Sequence, residues 1–455
     1  MAIATRNPVT GKLVREFAAQ SPAQIESALA RASDAFVKHR RSSFAERSAK
    51  LNRAADILEA DKERLARMIT LEMGKLLREA RAEIEKCASG CRFYAEHAEG
   101  FLREQIVSSN ARRSVVRYEP LGPILAIMPW NFPFWQVVRF IAPALMAGNV
   151  GVLKHAANVP QCALALVDIF ERAGFDGGEF QTLLIETDAV AKIIADDRIT
   201  AVTLTGSERA GSAVAEQAGR ALKKCVLELG GSDPFIVLPS AKLNDAITTA
   251  VKARMLNTGQ SCIAAKRLLI ADAIYDEFVA ELLEKVGALK IGDPLQDETD
   301  VGPLATEGIL RGVEAQVHKS IAAGAKLLLG GKRAERAGYF YEPTVLAEIP
   351  KRASAYAEEI FGPVILLFRF RDRDEALALA NDTPFGLGAS VWTQDIEEQE
   401  FFARKIEAGM VFINAMVASD PRLPFGGVKR SGYGRELAAE GIREFTNVKT
   451  VYVSA

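Results

Sequence analysis

The chain has 455 residues, 49% apolar and 25% charged, a composition of soluble globular proteins at a length that exceeds one ordinary core. Lys plus Arg (57) nearly cancels Asp plus Glu (58), which excludes a global field favouring nucleic acid, an anionic membrane or a polyanionic partner and points to a small substrate. Five cysteines and four scattered histidines show no metal-ligand spacing, so no metal site is expected and the thiols read as free, in a reducing compartment.

The N-terminal Met-Ala-Ile-Ala-Thr-Arg lacks the apolar stretch of a signal peptide, and no apolar run long enough to span a bilayer occurs. A cytosolic protein is expected. Residues 21–105 read as long helices, the first two opened by capping boxes, Ser21 with Gln24 and Ser43 with Glu46. Within them Cys87 and Cys91 share a helix face and read as small core fillers rather than a redox pair.

From residue 122 short apolar runs alternate with helical stretches. Strands are expected at 124–128, 150–154, 182–186, 201–205 and 225–229, with helices over 134–147, 159–173 and 207–222, the alternation of a parallel doubly wound sheet. A second series, 235–238, 268–270, 326–329, 364–370 and 410–414, implies a second α/β domain. Two segments, 113–119 and 446–453, fit neither series. Their β-branched content suits an edge extension, read here as an oligomerisation element rather than a simple intrachain hairpin.

Four motifs carry chemistry. Cys262, in Asn257-Thr-Gly-Gln-Ser-Cys-Ile-Ala-Ala-Lys266, has small, polar, glycine-broken neighbours and reads as an exposed nucleophile whose base comes from elsewhere in the fold. Asn131, between Pro129 and Pro133 after the first strand, either donates to an oxyanion or fixes an Asx turn. Gly206 and Ser207 close a strand and open a helix, where backbone N–H groups receive a pyrophosphate or merely turn the chain. Glu228, before two glycines, is either a base or a solvated strand-end carboxylate.

In their order and spacing, Pro129–Pro133, Lys154, Thr205–Ser207, Glu228–Gly231, Gly259–Cys262, Glu358–Pro363 and Pro424–Gly427 resemble the NAD(P)-dependent aldehyde dehydrogenase superfamily over essentially the whole chain. The resemblance implies two doubly wound, Rossmann-like α/β domains plus a small β element. Residues 1–111 and 122–227 would bind the cofactor, 228–429 would form the catalytic domain, and 112–121 with 430–455 the oligomerisation element of a homodimer or homotetramer.

It also implies roles. Cys262 attacks the aldehyde, Asn131 and the Cys262 N–H hold the oxyanion, hydride leaves for the nicotinamide, and Glu228 activates the water that hydrolyses the thioester and is a candidate to deprotonate Cys262 beforehand. Lys154 and Glu359 reach ribose hydroxyls, Ser207 and Gly206 lie near the pyrophosphate, and Met128, Pro129, Trp130, Leu229 and Phe361 lie along the dinucleotide. Where NAD-restricted members carry a glutamate this chain has Ala157, so use of both cofactors is expected, leaning to NADP, with His155 nearby.

Within the superfamily, Arg139 and the loop around Ser419 resemble the carboxylate contacts of short bacterial succinate-semialdehyde dehydrogenases. On its residues alone, Arg139 reads equally as a structural salt bridge. A second arginine found in some members is here Leu256, with Arg422 or Arg254 as conceivable substitutes, and Ser261 excludes an adjacent redox disulfide. The competing expectations are a broader aliphatic or aromatic aldehyde dehydrogenase, a non-catalytic binding protein on the same scaffold, and a cofactor-independent cysteine hydrolase.

Overall fold

The computed structural model describes residues 2–454. Both capping boxes form: the Ser21 hydroxyl accepts from the Gln24 amide at 3.3 Å while Gln24 Oε1 accepts from the Ser21 amide at 2.8 Å, and Ser43 with Glu46 does the same. The helical layer comprises Pro22–His39, Phe44–Ala60, Lys62–Met73 and Leu77–Phe101, the third ended by Gly74 at φ +79°. A hairpin of Ile3–Arg6 with Leu13–Phe17 precedes it, a pairing the sequence reading did not anticipate. Cys87 and Cys91 are fully buried in the core between these helices and the first sheet.

That sheet has six strands, in the order 432–433, 224–228, 201–205, 123–128, 150–155, 180–182. All neighbours run parallel except Gly432–Tyr433, which pairs antiparallel with Lys224–Glu228. The expected strand at 182–186 lies earlier, at Phe180–Thr182, and the apolar Leu183 and Ile185 that suggested it are buried in the core beneath the sheet instead. Helices Trp135–Met146, Pro160–Arg172 and Glu208–Arg220 fill the crossovers. Every residue of Trp135–Met146 is buried, so this helix forms the central layer between the sheet and helix Leu77–Phe101.

The second sheet has seven strands, in the order 326–329, 344–347, 364–370, 267–271, 234–237, 388–392, 410–413, parallel apart from the first. Thr344–Ala347 and Gly388–Trp392 were not foreseen. The third sheet pairs Thr446–Val453 with Arg113–Pro120 antiparallel over eight residue pairs, with Gln105–Ile106 beyond. The two segments that fitted neither series therefore join within one chain, and the outer edge of Thr446–Val453 stays unpaired, with Val448 and Tyr452 exposed. No helix among the described residues is long and apolar enough to cross a membrane.

Candidate active site

The candidate residues gather where loops at the carboxyl ends of the first sheet meet the segment that precedes Arg267–Ala271 of the second, the usual place for a site in open α/β folds. Cys262 is half-buried and opens on a cavity of about 640 Å³ whose wall includes Phe132, Trp135, Met255, Leu256 and Phe425.

Its loop is held from several sides. Asn257 and Thr258 both adopt φ +55°, and Gly259 follows at +73°. Such backbone strain persists only where surrounding contacts over-determine it. Asn257 donates its amide to Glu79 Oε2 at 3.0 Å and its side chain to the carbonyls of Asn131 and Gln260 at 2.8 and 3.0 Å. The Gln260 carboxamide oxygen accepts from the Ala305 amide at 2.9 Å. Fully buried Lys266 donates to the Ser261 and Cys262 carbonyls, each at 2.8 Å, and pairs with Glu359 at 3.0 Å. The thiol is thus less exposed than its sequence neighbours imply, and burial pushes it up to about 12 against the pull of Lys266 and Arg139.

Asn131 donates one side-chain N–H to the Gln260 carbonyl at 3.1 Å and accepts from Gln136 at 3.1 Å. An amide carries two such hydrogens, so the second remains for an oxyanion. Glu228 ends its strand fully buried and outside the cavity wall. It is not a solvated carboxylate: burial first, and then repulsion from Glu436, raise it well above the usual carboxylate range. Its Oε1 lies beside Gly426, where a Cβ would stand 2.6 Å away, so the glycine leaves it room.

Arg139 does not stand free. Its guanidinium forms a buried ion pair with Glu436, reaches the Thr205 hydroxyl at 3.4 Å and lies over the Phe425 ring at 4.5 Å. Arg254, one conceivable substitute, is fully buried and saturated by backbone carbonyls, among them Val364 at 2.6 Å and Ile360 at 2.9 Å. Arg422 is exposed and bound to Asp420 at 2.5 Å. Ser419 lies on the cavity wall and accepts from Trp135 Nε1 at 3.0 Å and from Lys86 Nζ at 2.5 Å. Lys86 escaped the sequence reading, as did Glu436, because a mid-helix lysine and a glutamate in a C-terminal turn carry no local signature.

The residues suit a dinucleotide. Lys154 ends a strand half-buried, its ammonium without a protein partner among the described residues, and burial alone lowers it. Ser207 caps helix Glu208–Arg220 and Gly206 precedes it, leaving the first backbone N–H groups available to phosphate. Trp130 and Phe361 meet edge to face at 5.7 Å, next in sequence to Pro129 and buried Met128. Leu229 packs so closely on the helix that a Cβ on Gly211 would lie 2.6 Å from it. Glu359 Oε1 accepts from the Gly231 amide at 3.2 Å.

Ala157 is half-buried with no charge to offer. His155 gives a 2′-phosphate nothing: burial pushes it down to about 4, its Nδ1 accepts from the Ala156 amide at 2.9 Å, and its Nε2 bonds the Pro133 carbonyl at 2.9 Å.

The sequence profile of the Aldehyde dehydrogenase family matches residues 1–451. A protein of Synechocystis sp. named "Probable succinate-semialdehyde dehydrogenase [NADP(+)]" is 55% identical over the full length of both chains. A protein of Mycobacterium tuberculosis named "Succinate-semialdehyde dehydrogenase [NADP(+)] 1" is likewise 55% identical over the full length of both. The solved succinic semialdehyde dehydrogenase of Streptococcus pyogenes, in complex with NADP+, superposes with a TM-score of 0.97 at 37% identity, covering 99% of this chain and 100% of that one.

Proposed function

The chain belongs to the aldehyde dehydrogenase family, and from that premise we propose that it oxidises succinate semialdehyde to succinate, with NADP+ preferred over NAD+. The observation that carries this reading is one cavity onto which the Cys262 thiol opens and whose wall carries four cations, Arg78, Lys86, Arg139 and Lys252. An aldehyde at one end of a short substrate and a carboxylate at the other suit that arrangement. The names of the full-length relatives support it.

Cys262 adds to the aldehyde carbon, and the free Asn131 N–H with the Cys262 backbone N–H holds the oxygen that becomes anionic. A bound nicotinamide dinucleotide supplies the hydride acceptor. Lys154, Ser207 and Glu359 would hold it, and Ala157 leaves a 2′-phosphate unopposed beside Lys154. Glu228 turns from its seat beside Gly426 to take a proton from the water that hydrolyses the thioester, returning Cys262 as thiol. Burial raises both groups in the free protein, so activation accompanies loading of the site.

The apolar wall and a volume generous for a four-carbon substrate favour, as a second reading, a broader range of aliphatic or aromatic aldehydes. The unpaired edge of Thr446–Val453 supports a homodimer or homotetramer, and five free thiols support a cytosolic setting. Steady-state NADPH and NADH formation over a panel of aldehydes tests the reading: the highest kcat/KM is expected for succinate semialdehyde with NADP+, and an uncharged aldehyde in first place would reject it.

A further inference from the structure

We infer that Glu79 is a positioning residue for the reaction: its carboxylate holds the turn that precedes Cys262, and through Asn257 that turn sets the Asn131 side chain to receive the oxyanion. This rests on the reading of Asn131 as the oxyanion donor.

Two carboxylates of helix Leu77–Phe101, Glu79 and Glu83, lie one helical turn apart and so share a face. Each secures the Asn131 segment from a different side. Glu83 accepts from the Phe134 and Trp135 amides at 2.9 and 3.0 Å, which fixes the start of helix Trp135–Met146 just after Asn131, and buried Lys75 balances its charge. Glu79 acts from the side of the nucleophile. It is half-buried on the cavity wall, its Oε2 accepts from the Asn257 amide at 3.0 Å, and it forms no ion pair among the described residues.

Asn257 passes the constraint on. It and Thr258 stand at φ +55°, a conformation that asparagine tolerates and threonine resists, and that persists only where contacts impose it. The buried Asn257 Nδ2 donates to the carbonyls of Asn131 and Gln260 at 2.8 and 3.0 Å, so one amide group spans the oxyanion loop and the nucleophile loop. Gln260 returns a bond to the Asn257 carbonyl at 3.1 Å, and its own carbonyl also accepts from Asn131 Nδ2 at 3.1 Å. Backbone and side chain of Asn131 are thus both fixed relative to Cys262, by a ring of bonds tied to the helical layer at Glu79. The Thr258 hydroxyl accepts from the Gly302 amide at 3.2 Å, so the turn has a second anchor and loss of Glu79 loosens it without unfolding it. Burial raises Glu79 to about 7 against the pull of Lys75 and the Asn257 amide. A carboxyl oxygen accepts in either protonation state, so the bond to Asn257 survives titration.

The test is the first-turnover rate of NADPH formation with succinate semialdehyde and with butanal, at saturating NADP+ and pH 7, in the wild type, Glu79→Leu, Glu79→Gln, Asn131→Ala and the double variant Glu79→Leu/Asn131→Ala. A displaced oxyanion donor predicts a loss of about 10- to 100-fold in the saturating rate of Glu79→Leu, equal for both aldehydes, with half-saturation little changed. Glu79→Gln keeps an acceptor oxygen and should stay close to the wild type. The double variant should be no slower than Asn131→Ala, because residues that act through one another are not additive. Losses that multiply would show a separate structural role and overturn the assignment, as would a Glu79→Leu enzyme that reacts normally or fails with succinate semialdehyde alone. Alkylation of Cys262 by iodoacetamide, which forms no oxyanion, should keep its wild-type rate in Glu79→Leu, and a changed rate would overturn the assignment by placing the effect on the thiol. Glu79→Asp, which withdraws the oxygen by one methylene, should show the same pattern at smaller amplitude and decides the matter if Glu79→Leu does not fold. An Asn131→Ala enzyme as fast as the wild type would overturn the oxyanion reading, and this inference with it.

Discussion

Arg139 and Glu436, 3% and 4% exposed, form an ion pair that joins the central helix Trp135–Met146 to the C-terminal turn directly beside Glu228. The pair explains two features of the site. It ties the Arg139 guanidinium to a buried carboxylate, and it places a second carboxylate next to Glu228, which helps to raise Glu228 above the usual carboxylate range.

Arg139→Met should therefore act on stability as much as on catalysis. Breaking a buried pair by removing one partner costs about 3–5 kcal/mol, because the other charge is left unpaired. A marked fall in melting temperature is expected, with activity towards charged and uncharged aldehydes falling together. Glu436→Leu added to Arg139→Met should restore much of the melting temperature. A fully stable single variant that loses only succinate semialdehyde activity would assign Arg139 to the substrate after all.

Selectivity should depend on pH. Lys86 titrates at about 8, lowered by burial and by Arg139 against weaker support from Glu83 and Asp420. Its charge is complete below that value and lost above it. The ratio of kcat/KM for succinate semialdehyde to that for butanal, in which ionisation of Cys262 cancels, should be flat to about pH 7.5 and then fall as one of the four cations on the cavity wall loses its charge. A flat ratio to pH 10 would show that the carboxylate is held by a group that does not titrate there.

The free enzyme should be sluggish towards alkylation. With Cys262 pushed up to about 12, the thiolate fraction is small at neutral pH and grows about tenfold per pH unit. Iodoacetamide inactivation rates measured from pH 7 to 10 should rise without levelling, and Glu228→Gln should change them little, since burial and Glu436 raise Glu228 well above the usual carboxylate range. A plateau near pH 7 would indicate a preformed thiolate.

The motif loops were legible because each carries residues that make poor core at a junction between elements: Asn131, Gly206 and Glu228 lie where strands end, and Cys262 lies between helix Leu243–Met255 and strand Arg267–Ala271. Both capping boxes and the three crossover helices followed from the same local rules. Gly388–Trp392 escaped notice because its Gly-Ala-Ser start carries little β-propensity, and Thr344–Ala347 because it is only four residues long after Pro343. The partners of charged groups escaped for another reason. Arg139 meets Glu436, and Lys86 meets Ser419, only through tertiary packing across most of the chain, and no spacing rule covers such distances. His155 misled by proximity in sequence, since its ring faces the Pro133 carbonyl and the Ala156 amide.

Cofactor choice can be reversed at one position. Ala157→Glu would place a carboxylate near the unpartnered Lys154, accepting from a ribose hydroxyl and repelling a 2′-phosphate. NADP+ kcat/KM should fall by about two orders of magnitude while that for NAD+ holds or rises, as expected when like charges worth several kcal/mol are brought together. Equal losses for both cofactors would remove Ala157 from the adenosine site.

The covalent account is most directly tested by trapping its thioester. Glu228→Gln, mixed with succinate semialdehyde and NADP+ and quenched in acid, should release one equivalent of NADPH per chain and then stall. Intact-mass and peptide analysis should find a succinyl group on Cys262. Continued turnover at the wild-type rate with Cys262 unmodified would contradict both the role of Glu228 and the covalent path.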